Sequence, residues 1–81
     1  TAADVEMSIE EKAEYIKTAM NKLPEQERAI VSLYYDQDES VSEIAKSINI
    51  SESNVKVKLF RARKMLKFIL EKKKVIIYNN Y

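Results

Sequence analysis

With 81 residues, 46% of them hydrophobic and 33% charged, the chain has material for one small domain and no second core. Cysteine and histidine are both absent, which removes disulfides, Cys/His zinc sites, thiolate nucleophiles and His-based relays, so neither an enzyme nor a cofactor is expected. The net charge of +1 hides a split, because residues 1–40 hold ten acids and four bases, for −6, whereas residues 41–81 hold three acids and ten bases, for +7. A domain polarised in this way suggests an anion-binding face at its C-terminal end, the plainer alternative being a solvated charged surface. With no apolar run of about 18 residues and no basic-then-apolar leader, the chain reads as soluble and cytoplasmic.

Gly is absent and Pro occurs once, a composition that disfavours hairpins and predicts helices joined by Asn, Asp and Ser turns. The expectation is an all-α, four-helix domain over residues 8–74, preceded by a linker (1–7) and followed by a tail (75–81). Ser8-Ile9-Glu10-Glu11 is a capping box that opens the first helix. From it Ile9, Ala13, Ile16, Met20 and Leu23 recur at spacings of four and three, one face of a helix that should be buried. Leu23-Pro24 ends this run and places Pro24 in the first turn of a second helix. Its apolar stripe is Ala29, Ile30, Leu33 and Tyr34, running to about Tyr35.

After Asp36-Gln37-Asp38-Glu39 a second capping box, Ser40-Val41-Ser42-Glu43, opens a short third helix with Val41, Ile44, Ala45 and Ile48 on one side. Asn49 suits a left-handed stop and Ser51 suits a new cap. The fourth helix, from near Glu52 to about residue 74, keeps Val55, Leu59, Ala62, Leu66 and Ile69 on one face. The apolar tail Val75-Ile76-Ile77-Tyr78 has no clear period, leaving open whether it extends this helix, frays or docks on a partner.

A short helix, a three-residue turn and a second helix with polar and basic outer positions form the pattern of a helix-turn-helix that docks in a DNA major groove. Ile44, Ala45 and Ile48 would pack the supporting helix, and Ala45 is small enough for a close crossing. The candidate DNA-contacting residues are Ser51, Glu52, Ser53, Asn54, Lys56, Val57, Lys58, Phe60, Arg61, Arg63, Lys64 and Lys67. Early turns reach base edges and later turns follow phosphates, so Lys56 and the polar groups before it are expected to select sequence. For Arg63, Lys64 and Lys67, phosphate contact and simple solvation both stay open, and Phe60 fits either the core or a DNA or partner face. Tyr15, Tyr34 and Tyr35 read as core or rim. The acidic pairs Glu10/Glu11 and Asp36/Asp38 lack the further ligands that a metal or acid–base site needs.

Leu23-Pro24-Glu25-Gln26-Glu27-Arg28, the run Val41 to Ser51 and the run Val55 to Leu66, with its Arg61-Ala62-Arg63-Lys64 exit, together resemble region 4 of bacterial RNA polymerase sigma factors, most closely the extracytoplasmic-function group. The resemblance covers roughly residues 8–70. It implies recognition of the promoter minus-35 element, binding to the flap tip of the polymerase beta subunit, and a possible anti-sigma partner, for a monomeric domain taken from a longer factor that does not start transcription alone. The family usually has Gly where Asn49 stands, and Asn is the best non-Gly residue for that geometry. It usually has a small or polar residue where this chain has Val57, which exchanges a base hydrogen bond for apolar contact with a thymine methyl. Other readings are a different helix-turn-helix regulator, or a protein-interaction module that does not bind DNA; a promoter duplex and a flap peptide discriminate among the three.

Overall fold

The computed structural model describes the backbone of residues 8–79 and the side chains of residues 8–71. The expected linker, residues 1–7, and the last two residues of the expected tail lie outside the described residues. Four helices follow in order: α1 (Ile9–Asn21), α2 (Glu25–Tyr35), α3 (Val41–Ile48) and α4 (Glu52–Asn79). No strand occurs among the described residues, and none of their helices is long and apolar enough to cross a membrane.

The caps fall where the sequence places them. Ser8 Oγ accepts from the Glu11 N–H at 3.1 Å. At α3 the capping box is reciprocal: Ser40 Oγ accepts from the Glu43 N–H at 3.1 Å, and Glu43 Oε1 accepts from the Ser40 N–H at 3.0 Å. Two otherwise orphaned N–H groups are satisfied in this way. Because Ser40 supplies both a backbone and a hydroxyl partner, the Glu43 carboxyl is held below its ordinary value. Pro24 stands one position earlier than expected, as the N-cap of α2 with ψ 151°, and its carbonyl accepts from the Arg28 N–H at 2.9 Å.

Between α2 and α3, Asp38 adopts φ 55° and the Glu39 N–H returns to the Leu33 carbonyl at 3.0 Å, so the acidic stretch is a hydrogen-bonded turn. Asn49 is left-handed, φ 56° and ψ 51°. Its N–H and that of Ile50, the latter at 3.1 Å, both reach the Ala45 carbonyl, which closes α3 without a glycine. Ser51 Oγ then accepts from the Asn54 N–H at 3.1 Å, starting α4 three residues after α3 ends.

Leu23, Ile30, Val31, Ile44, Ala45, Val55, Leu59 and Ala62 form the core, with Met20, Leu33, Tyr34, Val41, Ile48, Ile50 and Leu66 packed on it. The stripes of α2, α3 and α4 are thus buried as expected, although Tyr35 is exposed and Val31 lies inside. The stripe of α1 is buried only at its C-terminal end, at Met20 and Leu23. Ile9 is 82% and Ile16 54% exposed, Ala13 is exposed, and the inward line is instead Tyr15, Ala19 and Leu23, about a quarter turn away. The residues of α1 that turn inward lie in its later turns and just beyond, where the helix packs mainly on α4.

α4 also departs from expectation. It has 28 residues, about 42 Å, and takes in residues 75–79. No Gly or Pro interrupts it, and Lys72, Lys73 and Lys74 are good helix formers that carry it on. The molecule is accordingly elongated, 48 × 20 × 16 Å.

Candidate nucleic-acid interface

A residue's side on α4 follows from rotation at about 100° per residue. The buried line is Val55, Leu59 and Ala62. Diametrically opposite it runs a ridge of Ser53, Val57, Phe60 and Lys64, all exposed. Phe60 is 60% and Val57 44% exposed, which decides Phe60 against the core. The Lys64 Nζ lies 5.4 Å from the centroid of the Phe60 ring, one turn back along this ridge. Lys56 and Lys67 form one exposed shoulder, Asn54 and Arg61 the other. Ser51 and Glu52 sit at the mouth of the helix, where Glu52 complements the N-terminal dipole and Ser51 is occupied as the cap.

Lys58 and Arg63 stand apart from this set. Each lies about 70° from the buried line, near enough to bend back onto α2. The Lys58 Nζ donates to Glu27 Oε1 at 3.2 Å, with the two side chains only 22% and 14% exposed. The Arg63 Nε–H donates to the Tyr35 hydroxyl oxygen at 2.7 Å, and its guanidinium carbon lies 5.5 Å from both the Tyr34 and Tyr35 ring centroids. The two rings meet edge to face at 5.0 Å. Hydrogen bonding to the Tyr35 hydroxyl raises the affinity of the guanidinium for its proton. Glu27, Tyr34 and Tyr35 therefore belong to the architecture of the site, a role the sequence reading did not give them.

The outward side of α4 thus gathers four bases, Lys56, Arg61, Lys64 and Lys67, around exposed apolar side chains, Val57, Phe60 and Phe68, with Glu52 at its N-terminus and Glu71 beyond Lys67 as the acids of the described helix. The acids cluster elsewhere: Glu10, Glu11 and Glu14 on α1, Glu25 on α2, and Asp36, Asp38 and Glu39 in the turn before α3. A positive helix on a short supporting helix, with most of the acids held away, suits docking into a groove walled by phosphates.

The family model described as "Sigma-70, region 4" matches residues 13–66. An RNA polymerase sigma factor, FliA, of Pseudomonas aeruginosa is 46% identical over 37 residues, covering 46% of this chain and 15% of that protein. The ECF RNA polymerase sigma factor SigM of Bacillus subtilis is 44% identical over 48 residues, 59% of this chain and 29% of its own length. The chain thus spans less than a third of either curated relative. The matched segment runs from α1 through the supporting helix and the recognition helix, and this decides against the reading of an unrelated regulator. The chain belongs to the sigma-70 region 4 family, in the form typical of ECF sigma factors, a non-enzymatic DNA-binding domain that in sigma factors binds the minus-35 promoter element.

Proposed function

We propose that this chain reads a minus-35 promoter element through the outward side of α4, as part of transcription initiation in the cytoplasm. The observation that carries the reading is the segregation on α4: Lys56, Val57, Phe60, Arg61, Lys64 and Lys67 have no place in the core and face away from α2 and α3. Ser53, Asn54, Lys56 and Val57 occupy the first two turns, where a recognition helix meets base edges. Lys64 and Lys67 lie about two to three turns further on, where the helix leaves the groove and passes phosphates. Lys58 and Arg63 join the contact set only by leaving their partners on α2.

The polymerase and any anti-sigma factor are assigned to the opposite, acidic side. Ile9 and Ile16 are exposed beside Glu10, Glu11 and Glu14, a combination that suits a basic amphipathic helix such as the tip of the beta-subunit flap. The domain acts in this reading as a monomer.

Fluorescence anisotropy of the chain on a preferred and a scrambled duplex, across a salt series, tests the DNA assignment. Lys56→Ala should cost about 1–3 kcal/mol on the preferred duplex and less on the scrambled one. Lys64→Ala or Lys67→Ala should weaken both alike and reduce the slope of log affinity against log salt by about 0.9 each. Equal losses on both duplexes for Lys56→Ala would remove its role as a base reader. Unchanged binding for all three variants would leave the interaction-module reading in its place.

A further inference from the structure

We infer that Arg63 is a positioning residue, clasping α4 to α2 through Tyr34 and Tyr35, and that it keeps this role when DNA is bound; the inference rests on the DNA reading above. Charge and location alone would assign it to phosphate, since it sits in the basic run Arg61 to Lys64. Its contacts indicate otherwise. One guanidinium donates to the Tyr35 hydroxyl at 2.7 Å while lying 5.5 Å from two ring centroids, and the rings are themselves locked edge to face at 5.0 Å and 74°. Moving to a phosphate would forfeit the hydrogen bond and both ring contacts together. A lysine cannot replace this arrangement, because only a planar guanidinium combines an Nε–H donor with a face that packs on rings.

The position gives the clasp leverage. Arg63 is the twelfth residue of α4, about 16 Å from the N-terminus that enters the groove. A tilt of about 4° around that point displaces the reading end by about 1 Å, enough to spoil a base-edge hydrogen bond. On the other side of the buried line Lys58 ties α4 to Glu27, so the helix is held against α2 from both flanks. Arg63 therefore fixes the angle at which Lys56 and Val57 meet bases, without adding a phosphate contact of its own.

The test is nitrogen-15 NMR of the 81-residue chain, whose three arginines give three side-chain Nε–H signals, with Arg63 assigned through Arg63→Lys. In the free chain the Arg63 signal should be sharp and protected from exchange, and Tyr35→Phe, which keeps the ring and changes no charge, should abolish that protection. On saturation with a minus-35-type duplex, the backbone amides of residues 52–57 should shift while the Arg63 signal stays in place. Tyr35→Phe should also weaken duplex binding about two- to tenfold, a loss bounded by the free energy of the clasp itself, with no change in salt slope. An Arg63 signal that moves on DNA addition, or undiminished affinity in Tyr35→Phe, would overturn the inference and restore Arg63 as a phosphate contact. If the amides of residues 52–57 fail to respond to any duplex, the DNA reading fails and takes the positioning role with it.

Discussion

Val55 and Val57 offer one chemical change, Val to Ala, at two sites on one helix with opposite expected consequences. Val55 is wholly buried among the side chains of α2, α3 and α4, and Val57 is 44% exposed on the outward ridge. Removing two buried methyl groups at about 0.8 kcal/mol each, plus the void they leave, predicts a loss of about 1.5–3 kcal/mol for Val55→Ala. A domain of this size has a total stability of about 4–12 kcal/mol, so the loss is a large share of the whole. For Val57→Ala the lost burial is about half as great, and alanine's better helix propensity, about 0.5 kcal/mol, offsets most of it. Its stability should therefore change by under about 0.5 kcal/mol. DNA binding should separate the pair differently. The only apolar feature of the major groove is the thymine methyl, so a Val57 contact there predicts that replacing the contacted thymine by uracil weakens the parent about three- to fivefold. Val57→Ala should lose that sensitivity, whereas Val55→Ala, once corrected for its folded fraction, should keep it. Urea denaturation gives the stabilities, and anisotropy on thymine and uracil duplexes gives the contact. Equal destabilisation by the two variants would refute the burial argument, and a uracil penalty unchanged by Val57→Ala would refute the methyl contact.

The Glu43 carboxyl, lowered by its bonds to Ser40, has a folded-state value below its ordinary 4.5. Its contribution is therefore complete above that value and is lost as pH falls through the folded one, so Glu43→Gln should flatten the acid limb of a Tm-against-pH curve, and an unchanged limb would refute the linkage. On the acidic side, Ile16→Lys should leave stability and duplex binding within experimental error yet weaken binding of a flap-derived helical peptide at least about fivefold; crosslinks from the bound peptide confined to Lys56–Lys67 would place the polymerase on the wrong face.

Much of the fold is legible in short-range chemistry. Ser8, Ser40 and Ser51 each cap the helix that follows, because a hydroxyl three residues before a free N–H is a local relation that needs no tertiary context. Asn49 in the left-handed region is equally local, since in a chain without glycine it is the residue that adopts that geometry at least cost. What failed was the buried side of α1. Periodicity reports that Ile9, Ala13 and Ile16 share a face, but whether a neighbour covers that face is decided by tertiary packing, and only the stretch from Tyr15 to Leu23 turns inward.

The site was legible to the same depth. Rotation about α4 separates outward residues from buried ones as soon as Val55, Leu59 and Ala62 are taken as the inward line, and Lys56, Val57, Phe60, Arg61, Lys64 and Lys67 are all exposed. Lys58 and Arg63 escaped that reasoning because charge records what a side chain carries and says nothing of what it touches. Both lie at intermediate rotation, where a long side chain either reaches solvent or folds back, and the choice depends on the residue presented by the neighbouring helix. For Lys58 that residue is Glu27, and for Arg63 it is the Tyr34–Tyr35 pair, 31 and 28 residues away along the chain from Lys58 and from Arg63 to Tyr35 respectively. A sequence read one helix at a time has no access to pairings of that range. The net charge of residues 41–81 consequently overstates what α4 can offer to the proposed DNA contact: two of its bases are engaged with α2, and that contact draws on the bases beyond about 90° from the buried line.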